Sequence, residues 1–137
     1  MDRSVMTVRQ AGALQILAAE DSAANRMVLK AMLDGFDVHL SFAVDGREAV
    51  EATATRAFDL VFMDAHMPRM DGVEALKRIR AGGGPCAHAP IFMLTADAMH
   101  DDVRRYRDAG ADGVLGKPID LAQLANVIDG LQAKAAA

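Results

Sequence analysis

Five short apolar runs alternate with five longer amphipathic stretches along this chain, and no other feature limits its fold so tightly. The runs are LQILAA (14–19), DVHLSFA (37–43), DLVFM (59–63), PIFML (90–94) and GVL (113–115). Most are apolar throughout rather than at every second position, the pattern of strands covered on both faces. DVHLSFA alternates instead, with Val38, Leu40 and Phe42 to one side, which places it nearer a sheet edge. Between the runs, helical spacing predicts helices over 23–33, 46–55, 71–81, 99–109 and 120–132. Ser22 is placed to cap the first, whose apolar face reads as Ala24, Met27, Val28, Ala31 and Met32. Val73, Leu76 and Ile79 share a face in the third, and Met99, Val103 and Tyr106 in the fourth, which Ala109-Gly110 ends. The last places Leu121, Leu124, Val127, Ile128 and Leu131 on one side. Strict strand–helix alternation calls for a parallel sheet with helices on both faces and right-handed crossovers.

A chain of 137 residues with 52% hydrophobic content supplies one domain with a real core. The expected layout is a lead-in over 1–13, the folded domain over 14–132 and a disordered tail over 133–137. A net charge of -4 argues against direct nucleic-acid binding. The basic groups KRIR (77–80) and RRYR (104–107) read as solvated helix faces. No apolar run approaches the ~18–20 residues that cross a bilayer, so no membrane association is expected of this chain. The N-terminal stretch also lacks the layout of a secretion signal. Cys86 is the only cysteine, which rules out an internal disulfide and fits a reducing cytoplasm. The glycine-rich AGGGP (81–85) precedes a strand, whereas phosphate-cradling loops follow one, so it reads as a connection.

The polar residues at the strand ends carry the functional signal. Strand one ends in Glu20-Asp21, strand three in Asp64 and strand four in Thr95, and Lys117-Pro118 follows strand five. In a parallel sheet these ends share one edge, where doubly wound folds bind ligands. Neighbouring strands lie only ~4.8 Å apart, so strands one and three would crowd three carboxylates together. Such a cluster calls for a neutralising partner. A hard cation fits, and Mg2+ best, because it takes few protein oxygens and keeps waters that a phosphate oxygen can replace. His39, His66, His88 and His100 are scattered without metal-ligand spacing; His39, His88 and His100 read as surface or half-buried side chains. A carboxylate beside a divalent ion can attack a phosphoryl group and form an acyl phosphate. Asp64 is the candidate nucleophile, with Met67-Pro68 turning the chain away, and Thr95 and Lys117 are candidate partners for phosphoryl oxygens.

The acid pair ED (20–21), MDAHMPRMDG around Asp64, LTA (94–96) and KP (117–118) occur in an order and spacing that constrain the family. Over residues 14–132 the chain resembles the receiver domain of two-component response regulators. The stretches EDSAANRMV, MPRMDG and LTADAM bring it nearest to receivers of hybrid sensor kinases. The resemblance implies a flavodoxin-like (βα)5 fold with strand order 2-1-3-4-5. It also implies that Asp64 accepts a phosphoryl group from a histidine on a sensor kinase or histidine phosphotransfer protein. By the same resemblance Glu20, Asp21, Asp64 and the backbone carbonyl of His66 hold Mg2+, Thr95 and Lys117 contact the phosphoryl group, and Lys117-Pro118 is cis. The loop after strand four and the following helix are then the parts expected to respond.

Three positions depart from the family pattern: Val114 replaces a common aromatic, Asp97 follows Thr95 by two residues, and His66 follows Asp64 by two. An inward–outward ring swing is therefore excluded at Val114. Two other readings compete with the signalling switch. An aspartate-nucleophile phosphatase would carry a second Asp two residues beyond Asp64, where this chain has His66. A binding module that takes no phosphate would have no need of Glu20, Asp21, Asp64, Thr95 and Lys117 together.

Overall fold

The computed structural model describes residues 13–96 and 102–136. Ten elements alternate: β1 (Leu14–Ala19), α1 (Ala23–Leu33), β2 (Val38–Ala43), α2 (Gly46–Thr55), β3 (Leu60–Asp64), α3 (Gly72–Ala81), β4 (Ile91–Thr95), α4 (Asp102–Asp108), β5 (Gly113–Gly116) and α5 (Leu121–Ala136). The strands form one parallel sheet in the order β2-β1-β3-β4-β5. β3 and β4 each run one residue beyond their apolar stretches, so that Asp64 and Thr95 are the last residues of their strands.

The sheet sorts its side chains by parity. Leu60 and Phe62 of β3 point to one face with Ile16 and Leu94, and there they meet Leu29 and Leu33 of α1 and Leu124 and Ile128 of α5. Val61 and Met63 point to the other face with Leu17, Ile91 and Met93, and are covered by Ala49, Leu76, Ile79 and Tyr106. Both faces of β3 are fully buried, which explains an apolar run without alternation. Each such side chain contributes roughly 1.5–3 kcal/mol of burial. β2 lies at the edge, and Phe42 there remains 36% exposed.

Side-chain caps start the helices. Ser22 accepts from the Asn25 amide, Asp45 from that of Glu48 and Asp71 from that of Glu74. Cys86 is buried in the connection before β4, where its Sγ accepts from the Phe58 amide and donates to the Arg56 carbonyl.

Four sequence expectations change. The buried face of α1 is Leu29 and Leu33, not the stripe through Met27 and Val28, which are 72% and 50% exposed. Leu121, the first residue of α5, is also exposed, and the buried face of that helix begins at Leu124. Arg80 leaves the solvated face of α3: its guanidinium donates to the carbonyls of Ala87, Ala89 and Gly110 and pairs with Asp112. α5 continues past residue 132 to Ala136, as its run of Gln, Ala and Lys favours. Residues 1–12 of the 1–13 lead-in, with Asp97, Met99 and His100, lie outside the described residues. Among the described residues no helix is long and apolar enough to cross a membrane.

Candidate functional site

Parallel pairing brings the C-terminal tips of β1, β3, β4 and β5 to one edge. Ala19 pairs with Met63, Asp64 with Leu94 and Thr95 with Gly116, so the next residues of neighbouring strands lie side by side. One carboxylate oxygen from each of Glu20, Asp21 and Asp64 lies within 4.8 Å of the other two. Glu20 and Asp64 are buried and Asp21 is exposed, so the cluster opens to solvent on the Asp21 side. Lys117 reaches in from beyond β5: its Nζ stands 3.0 Å from Glu20 Oε1 and 3.0 Å from Asp64 Oδ2. Its backbone amide donates to the Thr95 carbonyl at 2.8 Å, which ties the β5 tip to β4. Lys117-Pro118 is cis.

Thr95 is fully buried at the end of β4. His66 is exposed, and its contribution to the site is its backbone: the amide donates to Asp64 Oδ1 at 3.2 Å. His39 and His88 are exposed, away from the acid cluster. Thus Glu20, Asp21, Asp64 and Lys117 meet at this edge, with the Thr95 backbone bonded to that of Lys117 at the neighbouring strand tip.

Sequence reasoning missed the supports behind this edge. Glu20 Oε2 accepts from the Ser22 amide, and the Glu20 carbonyl accepts from Arg26 Nη1. Gly72 presses on the strand tip, where a Cβ would overlap the Asp64 carbonyl. Arg69, in the same loop, has φ 66 and pairs with Asp45 at the start of α2. The pattern Asp45-Gly46 followed by Glu48 announces a helix start, yet nothing in it points to Arg69.

The charges are uneven within the cluster. Burial pushes the Asp64 carboxyl up from 3.8 to about 6; Glu20 adds to the rise, while the His66 amide and Lys117 oppose it. Burial also acts to raise Glu20, but Lys117, the Ser22 amide and Asp64 outweigh it and hold that carboxyl below its usual range. Burial acts to lower Lys117, yet Glu20 and Asp64 keep its ammonium above the ordinary value. Among the described residues, the Lys117 ammonium pairs with two of the three acids, Glu20 and Asp64, and Asp21 stands exposed beside them. Three hard oxygen donors open to water on one side fit a small divalent cation.

Beside the site, Glu20, Asn25, Val28, Leu29, Met32, Lys117, Pro118 and Ile119 line a cavity of about 150 Å3. It continues onto the outer face of α1, where Ala24, Met27, Val28 and Ala31 are all exposed. Val114 is half-buried and packs on the same core cluster as Tyr106.

The family profile of the response regulator receiver domain matches residues 16–129. Sensor histidine kinase AruS of Pseudomonas aeruginosa is 40% identical over 113 residues, which are 82% of this chain and 11% of AruS. The chain therefore spans a small part of that relative's length. The receiver domain of sensor histidine kinase PA1611 from Pseudomonas aeruginosa, solved with a magnesium ion in its active-site cleft, superposes with a TM-score of 0.80 at 30% identity, covering 88% of this chain and 98% of that one. The co-crystal structure of the receiver domain of Ssk1 with the histidine phosphotransfer protein Ypd1, from Saccharomyces cerevisiae, gives 0.82 at 27% identity, covering 92% and 93%.

Proposed function

Because the chain belongs to the response regulator receiver family, we propose that it is the phosphoacceptor switch of a two-component phosphorelay, with Asp64 taking a phosphoryl group from a phosphohistidine. The observation that carries this reading is the Asp64 carboxylate itself. It stands at a strand tip, held at one oxygen by the His66 amide and at the other by Lys117, with Glu20 and Asp21 beside it. An Asp64 oxygen attacks phosphorus, the phosphorus–nitrogen bond of the donor breaks, and the imidazole leaves with the bond's electrons. The product is an acyl phosphate on Asp64. Lys117 turns from the carboxylate to a phosphoryl oxygen, and Thr95 offers its hydroxyl to another.

Glu20, Asp21 and Asp64, with the His66 carbonyl, would hold Mg2+. That ion, when bound, offsets the repulsion between the acid cluster and the incoming phosphoryl anion. The domain is taken as residues 14–132 with the helical extension of α5, working in the cytoplasm. It is an acceptor, not a catalyst for external substrates. Its donor is a sensor kinase or a histidine phosphotransfer protein, such as the one that accompanies Ssk1. A protein donor suits the surface: the exposed apolar face of α1 and the adjoining cavity lie against Glu20 and Lys117.

Acetyl phosphate and Mg2+ should add one phosphoryl group to the intact mass. The adduct should vanish without metal and in Asp64→Asn. Wild-type protein that takes neither a phosphoryl group nor the mimic beryllofluoride would refute the reading.

A further inference from the structure

We propose that Asp45 and Arg69 form a latch that positions the Asp64 carboxylate for cation binding from the far side of its loop. Asp45 is a buried acid, 4% exposed, at the N-cap of α2. Its Oδ1 accepts from the Glu48 amide at 2.8 Å. Its Oδ2 takes both ends of the Arg69 fork, Nε at 2.8 Å and Nη2 at 2.6 Å. Both nitrogens converge on that one oxygen, which leaves Oδ1 to the helix cap, so one carboxylate ties the loop to the start of α2. Arg69 adopts φ 66, a backbone region that a residue with a Cβ enters at a cost, so something must hold it there. The Met70 amide closes the turn across Arg69 by donating to the Pro68 carbonyl at 2.7 Å, and the ion pair adds a side-chain hold from α2. Next to it, a Cβ on Gly46 would overlap the Met70 carbonyl, so the loop lies directly on the first turn of α2.

The other end of the loop is fixed by the Ala65 amide, which donates to the Leu94 carbonyl at 2.9 Å. The backbone between these anchors carries the His66 amide, and that amide holds Asp64 Oδ1. Tension or slack at Arg69 therefore reaches the carboxylate through His66, without Asp45 or Arg69 touching the acid cluster. Both are positioning residues, of the kind that orients a ligand from behind.

This inference rests on reading the acid cluster as a Mg2+ site. Its test is Mg2+ titration by calorimetry of the unphosphorylated wild type, Asp45→Asn, Arg69→Gln and the double variant, with amide exchange of His66 followed in each. Asn caps helices as well as Asp, so Asp45→Asn should keep α2 intact. Each single variant should raise the Mg2+ Kd several-fold, short of the ~10–100-fold that follows loss of a group bonded directly to a metal ligand, and should speed His66 exchange. The double variant should match the worse single one, since either change opens the latch. Single variants that bind Mg2+ like the wild type overturn the latch alone, as does a double variant whose loss is the product of the two. A wild type that gives no Mg2+ isotherm overturns the metal reading and the latch with it. A uniform fall in thermal midpoint, with Mg2+ stabilising variants and wild type equally, would reduce the pair to a structural contact and refute the proposal.

Discussion

Replacing Asp64 by Asn should make the metal-free protein more stable, and only at higher pH. Asp64 is 4% exposed, and its carboxyl titrates at about 6 where 3.8 is ordinary. The folded protein therefore holds this proton more tightly than the unfolded chain does. The favourable contribution is complete below 3.8 and is lost as pH rises through about 6. A displacement of that size corresponds to about 3 kcal/mol. Asn carries no charge to strand among Glu20 and Asp21, and its side-chain oxygen can still accept from the His66 amide. For a domain between the small and large size classes, about 3 kcal/mol raises the thermal midpoint by roughly 10 °C. The assay is thermal unfolding of chelator-treated wild type and Asp64→Asn across the window from 3.8 to above 6. The gap should open through that window, and Mg2+ should close it by stabilising the wild type alone. A gap of constant size, or none above the window, would refute the electrostatic argument.

Tyr106 is fully buried, and its hydroxyl has no hydrogen-bond partner among the described residues. Tyr106→Phe should thus leave stability unchanged or raise it by about 1 kcal/mol in urea unfolding, and a loss would show that the hydroxyl is satisfied. Gly72→Ala should destabilise by about 1–3 kcal/mol, because its Cβ meets a backbone carbonyl that cannot step aside. Unchanged unfolding there would mean that the 65–71 loop is free to move. Met27→Glu, at a 72% exposed position, should shift stability by no more than about 0.5 kcal/mol. The same change should slow transfer from a phosphohistidine protein while leaving labelling by acetyl phosphate intact. Equal transfer to wild type and variant would move the donor's seat off α1.

The sheet was legible because its strands are buried on both faces, as the unbroken apolar run before Asp64 records. The site was legible for a related reason: a parallel sheet turns distant strand ends into neighbours, so Glu20, Asp64 and Lys117 meet although the chain separates them widely. The face of α1 misled because two apolar stripes overlap on it. Leu29 and Leu33 face the core, while Met27 and Val28 face outward, Val28 sharing a cavity with Glu20 and Lys117. Periodicity reports that a face is apolar and does not say whether core or partner covers it. Arg80 reads as one more surface cation until the fold brings Gly110 and Asp112 to it. The left-handed backbone of Arg69 has no local signature, since Arg is not a residue that favours it.

The seclusion of Cys86 makes the protein its own reporter. Its sulfur is fully buried and engaged on both sides by the backbone of residues 56 and 58, and the chain has no second thiol. A maleimide reagent can therefore react only when that corner opens, so the labelling rate clocks local unfolding. Against so quiet a background, a single cysteine introduced at position 27 would take a fluorophore selectively, giving an optical readout of docking on α1.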